Sequence, residues 1–221
     1  MTSAEAPEGQ LLYFADPMCS WCWGFSPVAA QLAERFRDVA PLSLVVGGLA
    51  AGETRAMDAA TKAEVAEHWR HVEEATGQPF DHAFFDREGF VYDTEGPCRA
   101  VVVARGLDGG DGLPFLGRLH RAFYADNRDI TSREVLEAVA SEAGFDGPAF
   151  GRSWASEEAQ EATARDFAMA RQIGARAFPT VLVRYRAEVA LLTQGWRPYA
   201  EIEPALARWL DAQAASAGVA S

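Results

Sequence analysis

Residues 16–25, Asp16-Pro17-Met18-Cys19-Ser20-Trp21-Cys22-Trp23-Gly24-Phe25, set two cysteines three positions apart, directly after the apolar run QLLYFAD of residues 10–16. That run reads as a short buried strand. Beyond the cysteines, Val28, Ala29, Leu32, Ala33, Phe36 and Val39 recur at helical spacing, so a helix is expected to begin at the pair. Pro27 inside this stretch lacks a backbone donor and predicts a kink near Trp23. PLSLVVGG, residues 41–48, reads as a second buried strand. The chain therefore opens β-α-β, with both thiols at the first strand-to-helix junction.

Three chemistries compete for such a pair. Structural zinc needs four ligands. Here Cys98 stands alone, and nothing in the sequence brings His68 and His71, one helical turn apart, to Cys19 and Cys22. A permanent crosslink would close a tiny loop and remove little chain entropy. Redox exchange explains the spacing better. At a helix start the backbone N–H groups point outward and the dipole end is positive, which favours thiolate over thiol at Cys19. Cys22, one turn deeper, can then resolve a mixed disulfide from within the chain. Asp16 ends the strand before the pair; it is read first as a helix cap, with proton acceptance during exchange as the alternative.

The remainder of the chain is helical in the middle and β-rich towards the end. Val65, Trp69 and Val72 mark a helix stopped by Gly77 and Pro79. Pro97 suits the first turn of a helix through CRAVVVARGL, residues 98–107. A helix through Phe123 follows, and TSRE, residues 131–134, reads as a capping box before another. Ser156, Glu157 and Glu158 open one that ends near Gly174. TVLVRY (180–185) and EVALLTQ (188–194) read as an antiparallel hairpin, and Pro198 opens a last helix before a tail, residues 212–221, expected to fray.

Charge and cysteine count exclude whole classes. A formal net charge of −12 with scattered Lys and Arg argues against a nucleic-acid or anionic-membrane surface. No apolar run approaches the roughly 20 residues that span a bilayer. MTSAEAPEGQ at the start has no basic or apolar leader character, so a cytoplasmic protein is expected. Three cysteines are too few for a disulfide scaffold, and a reducing compartment would keep ordinary thiols reduced.

A second signal lies in ARAFPTVLV, residues 175–183. A proline directly before a buried strand cannot donate to a ladder. Taken alone, Phe178–Pro179 is expected to be trans. Together with the cysteine pair it reads as cis, leaving the backbone at Phe178 open to an extended substrate chain. This joint pattern resembles the thioredoxin superfamily, and the helical middle resembles its DsbA-like family. The segments ADPMCSWCWGF, VVGGLAAGE, DREGFVYDTEGPCRAV and TQGWRP resemble its cytoplasmic FrnE-like branch, with likeness from Leu11 to about Leu210.

The resemblance implies an α/β thioredoxin fold with an inserted all-helical domain. Residues 1–51 and 151–221 would form the thioredoxin-like part and residues 52–150 the insertion. It implies a thiol–disulfide oxidoreductase or isomerase, with Cys19 as nucleophile, Cys22 as resolving thiol and Pro179 as the cis proline. Trp21, Phe178 and Pro179 would bind substrate, within an apolar rim that adds Met18, Trp23 and Phe25; for Trp23 and Phe25 core packing is the preferred reading, as it is for Trp154, Trp196 and Trp209. Cys98 sits at a helix start where its thiol could be acidic, and is expected as an auxiliary thiol. Expected partners are disulfide-bearing polypeptides or small thiols, glutathione among them, with no metal and no resident cofactor. Ser20-Trp21 between the cysteines departs from the Pro-His or Pro-Trp of many oxidising members and leaves the redox direction open. Two other readings compete: a glutathione-dependent isomerase or transferase of the 2-hydroxychromene-2-carboxylate or kappa-class type, whose members typically carry Ser at the nucleophile, and a non-enzymatic partner-binding protein using the aromatic rim.

Overall fold

Strand β1 (Gly9–Ala15) alternates its side chains across a sheet that is buried on both faces at its C-terminal end. The computed structural model describes residues 7–219. Residues 1–6, on which part of the leader expectation rests, lie outside it, as do residues 220–221. Helix α1 (Ser20–Arg35) carries the chain from β1 to β2 (Leu42–Val46), which pairs parallel to β1 with Leu11 opposite Leu42 and Ala15 opposite Val46. After the helical middle, β3 (Thr180–Tyr185) pairs antiparallel on the other side of β1, and β4 (Glu188–Gln194) closes an antiparallel hairpin on β3. The four strands lie in the order β2-β1-β3-β4. The expected α/β architecture, a thioredoxin fold with a helical insertion, is the one observed.

Between β2 and β3 run α2 (Ala59–Thr76), α3 (Glu95–Asp108), α4 (Leu113–His120), α5 (Arg133–Glu142), α6 (Gly147–Trp154) and α7 (Glu157–Ile173). Their ends follow local chemistry. Asp58 accepts the Thr61 N–H at 2.8 Å at the start of α2, and Gly77, in the left-handed region at φ 71°, ends it. Ser156 accepts the Ala159 N–H at the start of α7, and Gly174 terminates that helix in the same way as Gly77. The capping box expected at TSRE does not form: Ser132 is the cap residue of α5, and Thr131 turns its hydroxyl to Asp129. Helix α6 was not expected from the sequence. It is only two turns long, and its signals are an Asp146 cap, accepting the Ala149 N–H, and Pro148 in the first turn.

One further expectation changes. Residues 212–219, expected to fray, continue α8 (Tyr199–Val219), and the last two of that tail lie outside the described residues. Pro27 lies inside α1 without ending it. The carbonyl that Pro27 cannot reach, that of Trp23 four residues back, accepts instead from the Gln78 side-chain amide at 3.1 Å. Within the insertion the buried Trp69 ring packs against Phe80, Phe84, Phe85, Phe123 and Tyr124 at 4.8–5.9 Å between centroids, and this cluster is continuous with the core of the sheet and α1. Strand β2 is an edge strand, yet it is covered. Arg105 of α3 donates to Leu44 O, Asp166 of α7 accepts the Val46 N–H at 3.0 Å, and the two side chains pair with each other at 3.0 Å.

Candidate active site

Cys19 is the cap residue of α1, outside the helix in extended backbone, with its N–H on Asp16 O at 3.1 Å. Its carbonyl accepts from the Trp23 N–H, and its thiol donates to the carbonyl of Phe178 at 3.4 Å. The Phe178–Pro179 bond is cis. The turn before β3 thus meets the start of α1, joining residues 159 positions apart. Cys22 lies one turn into α1 and is fully buried. Burial pushes its thiol well above the ordinary value, and Cys19 beside it adds to the rise; a backbone hydrogen bond from Asp16 works against both. All three cysteines are free thiols.

The substrate-facing expectations divide. Trp21 is half-buried between the His68 ring, edge-on at 5.8 Å, and Trp196 at 6.5 Å. Pro179 is buried behind the thiol, its carbonyl accepting the Gly195 N–H at 2.7 Å. Phe178 borders the same cavity as Cys19, with its side chain largely buried. Its ring lies against Gly47, where a Cβ would come within 2.0 Å of the ring, and its carbonyl is engaged by Cys19. Trp23 and Phe25 are core residues, as preferred, whereas Met18, though buried, lines a cavity with Cys19 and Trp21. Trp196, expected in the core, stands beside Trp21. His68, which no sequence signal tied to the thiols, lines the same cavity; burial and the neighbouring His71 lower its affinity for a proton. That cavity has a volume of about 730 Å³ and is walled by Cys19, Trp21 and Ala177 on one side and by Met57, His68 and Tyr92 of the insertion on the other.

Asp16 has a different role from helix capping. Its buried carboxylate accepts the N–H groups of Met18 at 2.9 Å and Leu49 at 2.7 Å, and the thiol of Cys98 at 3.3 Å. Desolvation raises its proton affinity in spite of these bonds. Cys98 is consequently the reverse of an acidic thiol. Although it lies in the first turn of α3, burial and then the Asp16 charge push it well above the ordinary range. His120 was also missed. It is fully buried, and its Nε2 meets Asp16 O at 3.1 Å while Nδ1 meets Ser26 Oγ at 3.0 Å. A carbonyl only accepts, so Nε2 carries the proton; burial depresses the ring to about 4, and the neutral Nδ1 accepts from Ser26. A lone histidine in an apolar stretch carries no sequence signal of this kind.

Among the described residues, no cluster of three or more His, Cys, Asp or Glu side chains is arranged to hold a metal, and no helix is long and apolar enough to cross a membrane. The thioredoxin family profile matches residues 12–204.

The chain belongs to the thioredoxin family.

Among solved structures of this family, a protein from Nitrosomonas europaea, described as a candidate protein disulfide isomerase, is 32% identical with a TM-score of 0.85, over 92% of this chain and 98% of that one. The cytosolic disulfide reductase DsbM from Pseudomonas aeruginosa, also solved with GSH, is 30% identical with a TM-score of 0.71, over 83% of this chain and 89% of that one. A curated relative, the ClpXP adapter protein SpxH of Halalkalibacterium halodurans, is 24% identical over 77% of this chain and 57% of its own length. The chain thus spans little more than half the length of the curated relatives it matches. At a coarse level, the fold is that of DsbA-like thiol–disulfide oxidoreductases.

Proposed function

We propose that the protein is a cytoplasmic dithiol–disulfide oxidoreductase or isomerase in which Cys19 attacks and Cys22 resolves. One observation carries the reading: Cys19 caps α1 at the wall of an open cavity, its thiol bound to the Phe178 backbone, with Cys22 buried one turn behind. In reduction, the Cys19 thiolate attacks a substrate disulfide and expels one substrate thiolate. Cys22 then attacks Cys19 Sγ, the Cys19–Cys22 bond forms, and the second substrate sulfur leaves and takes up a proton. The enzyme dithiol is oxidised by two electrons and the substrate disulfide is reduced.

Substrates are polypeptide disulfides or small thiol disulfides, with glutathione as redox partner and no resident cofactor. The GSH-bound DsbM relative favours glutathione, and so does Arg176, which borders the cavity and makes no salt bridge among the described residues. An unpaired guanidinium suits the carboxylates of a small acidic thiol. Retention of both cysteines speaks against the isomerase and transferase types that carry Ser at the nucleophile.

The test is turnover of glutathione disulfide and of a disulfide-bonded protein. Cys19→Ser is expected to abolish activity, Cys22→Ser to accumulate a mixed disulfide at Cys19 in intact mass spectra, and Arg176→Met to raise KM for glutathione disulfide several-fold. Wild type no faster than the double cysteine variant would reject the reading. The adapter names of the curated relatives favour a second one, partner binding without turnover, which predicts that the same double variant keeps its binding partner.

A further inference from the structure

Two buried hydroxyls have no hydrogen-bond partner among the described residues, those of Tyr13 and Tyr124. Such groups are rare because each forfeits its hydration without return. Tyr124 faces the Tyr92 side chain. Tyr13 is fully buried in β1, with its ring against Phe25 at 5.6 Å, and Phe25 lies one turn along α1 from the equally buried Cys22. Burial first, and then Cys22 and Cys19, raise the proton affinity of its hydroxyl.

We propose that the Tyr13 hydroxyl donates a hydrogen bond to the Cys22 sulfur as that sulfur becomes a thiolate, and so speeds release of the mixed disulfide. The proposal rests on the dithiol reading above. A thiol sulfur is a weak acceptor, whereas a thiolate is a strong one. The donor therefore makes no well-formed bond in the resting dithiol and is engaged when Cys22 ionises to attack. An interaction made in the transition state and absent from the ground state accelerates the step. Burial and the two sulfurs hold the phenol proton in place, so Tyr13 acts as a donor and does not exchange its proton with Cys22.

The step balances without a further reactant. Cys22 loses its proton as it attacks Cys19 Sγ; the Cys19–substrate bond breaks, and the departing substrate thiolate takes up a proton, so none is gained or lost overall. The other titratable groups that act on Cys22 are Cys19 and Asp16. Tyr92 also feels its charge. His120 stands behind Ser26, whose hydroxyl also lies within reach of the Cys22 carbonyl.

The experiment is a single-turnover measurement on the full chain. Formation of the Cys19 mixed disulfide and its release are timed separately across pH. Tyr13→Phe keeps the ring and removes the donor. It is expected to leave the attack rate unchanged, to slow release on the order of a hundredfold, and to move the pH midpoint of release upward. Release at the wild-type rate in Tyr13→Phe overturns the proposal. Site-specific 3-fluorotyrosine at position 13, a stronger donor of nearly the same shape, should speed release and serves if the phenylalanine variant does not fold; unchanged release there overturns the proposal equally. Wild type that forms no mixed disulfide at all would reject the dithiol reading and not the role of Tyr13.

Discussion

Three thiols share one neighbourhood but meet different surroundings. Cys98 is locked onto Asp16 and held protonated by burial and by that carboxylate. Cys22 is sealed beneath the first turn of α1, with its ionisation opposed by desolvation. Cys19 alone of the three borders the open cavity. Brief iodoacetamide treatment of the native protein at neutral pH should therefore modify Cys19, with Cys22 and Cys98 slower on the order of tenfold or more. Peptide mapping checks this, and early labelling of Cys98 would contradict the environment described for it. The spacing of Cys19 and Cys22 and the late Phe178–Pro179 were legible as sequence because each is a local pattern with a chemical meaning. Asp16, His120 and His68 were misread or missed for a physical reason: what each does is set by partners 33 to 104 positions away or across a cavity, and no local spacing encodes that.

At the scale of elements, α1 shows how one segment can repair another. Pro27 strips a donor from the helix interior, and Gln78, just past the end of α2, restores it at the Trp23 carbonyl while Trp23 Nε1 donates to Pro79 O at 3.1 Å. The insertion is thereby latched to the helix that carries both active thiols. Gln78→Ala should cost about 1 kcal/mol, lowering Tm by roughly 2–4 °C for a chain of this size; matched urea and thermal melts check both figures. Most helices were legible because periodicity and terminal glycines repeat within a few residues, as at Gly77 and Gly174. The unread α6 offered one apolar turn, too short for periodicity to show, and the misread TSRE box had the right residues one position out of step.

Across the whole molecule, His120 ties the insertion to the β1–α1 junction through Asp16 O and Ser26, which gives stability a pH dependence of definite sign. Its folded pKa, about 4, lies below the unfolded value near 6.5, so its contribution is complete above pH 6.5 and is lost as pH falls towards 4. The loss amounts to roughly 3 kcal/mol over that window. Asp16, raised by burial, acts with opposite slope above its unfolded value, which is why a comparison is needed rather than a single curve. Urea midpoints of wild type and His120→Gln between pH 7 and 4.5 should converge as the solution is acidified; parallel curves would refute the assignment. The β-α-β opening, the late hairpin and the helical insertion were readable from segment order, whereas the clasp of Arg105 and Asp166 over β2 was not, because it joins α3, α7 and the strand through two side chains. These side chains stand in for a neighbouring strand. Another polypeptide laid along that margin would find the rungs at Leu44 and Val46 already occupied, so the protein's flank is protected from recruiting copies into fibrous aggregates, a safeguard separate from its chemistry.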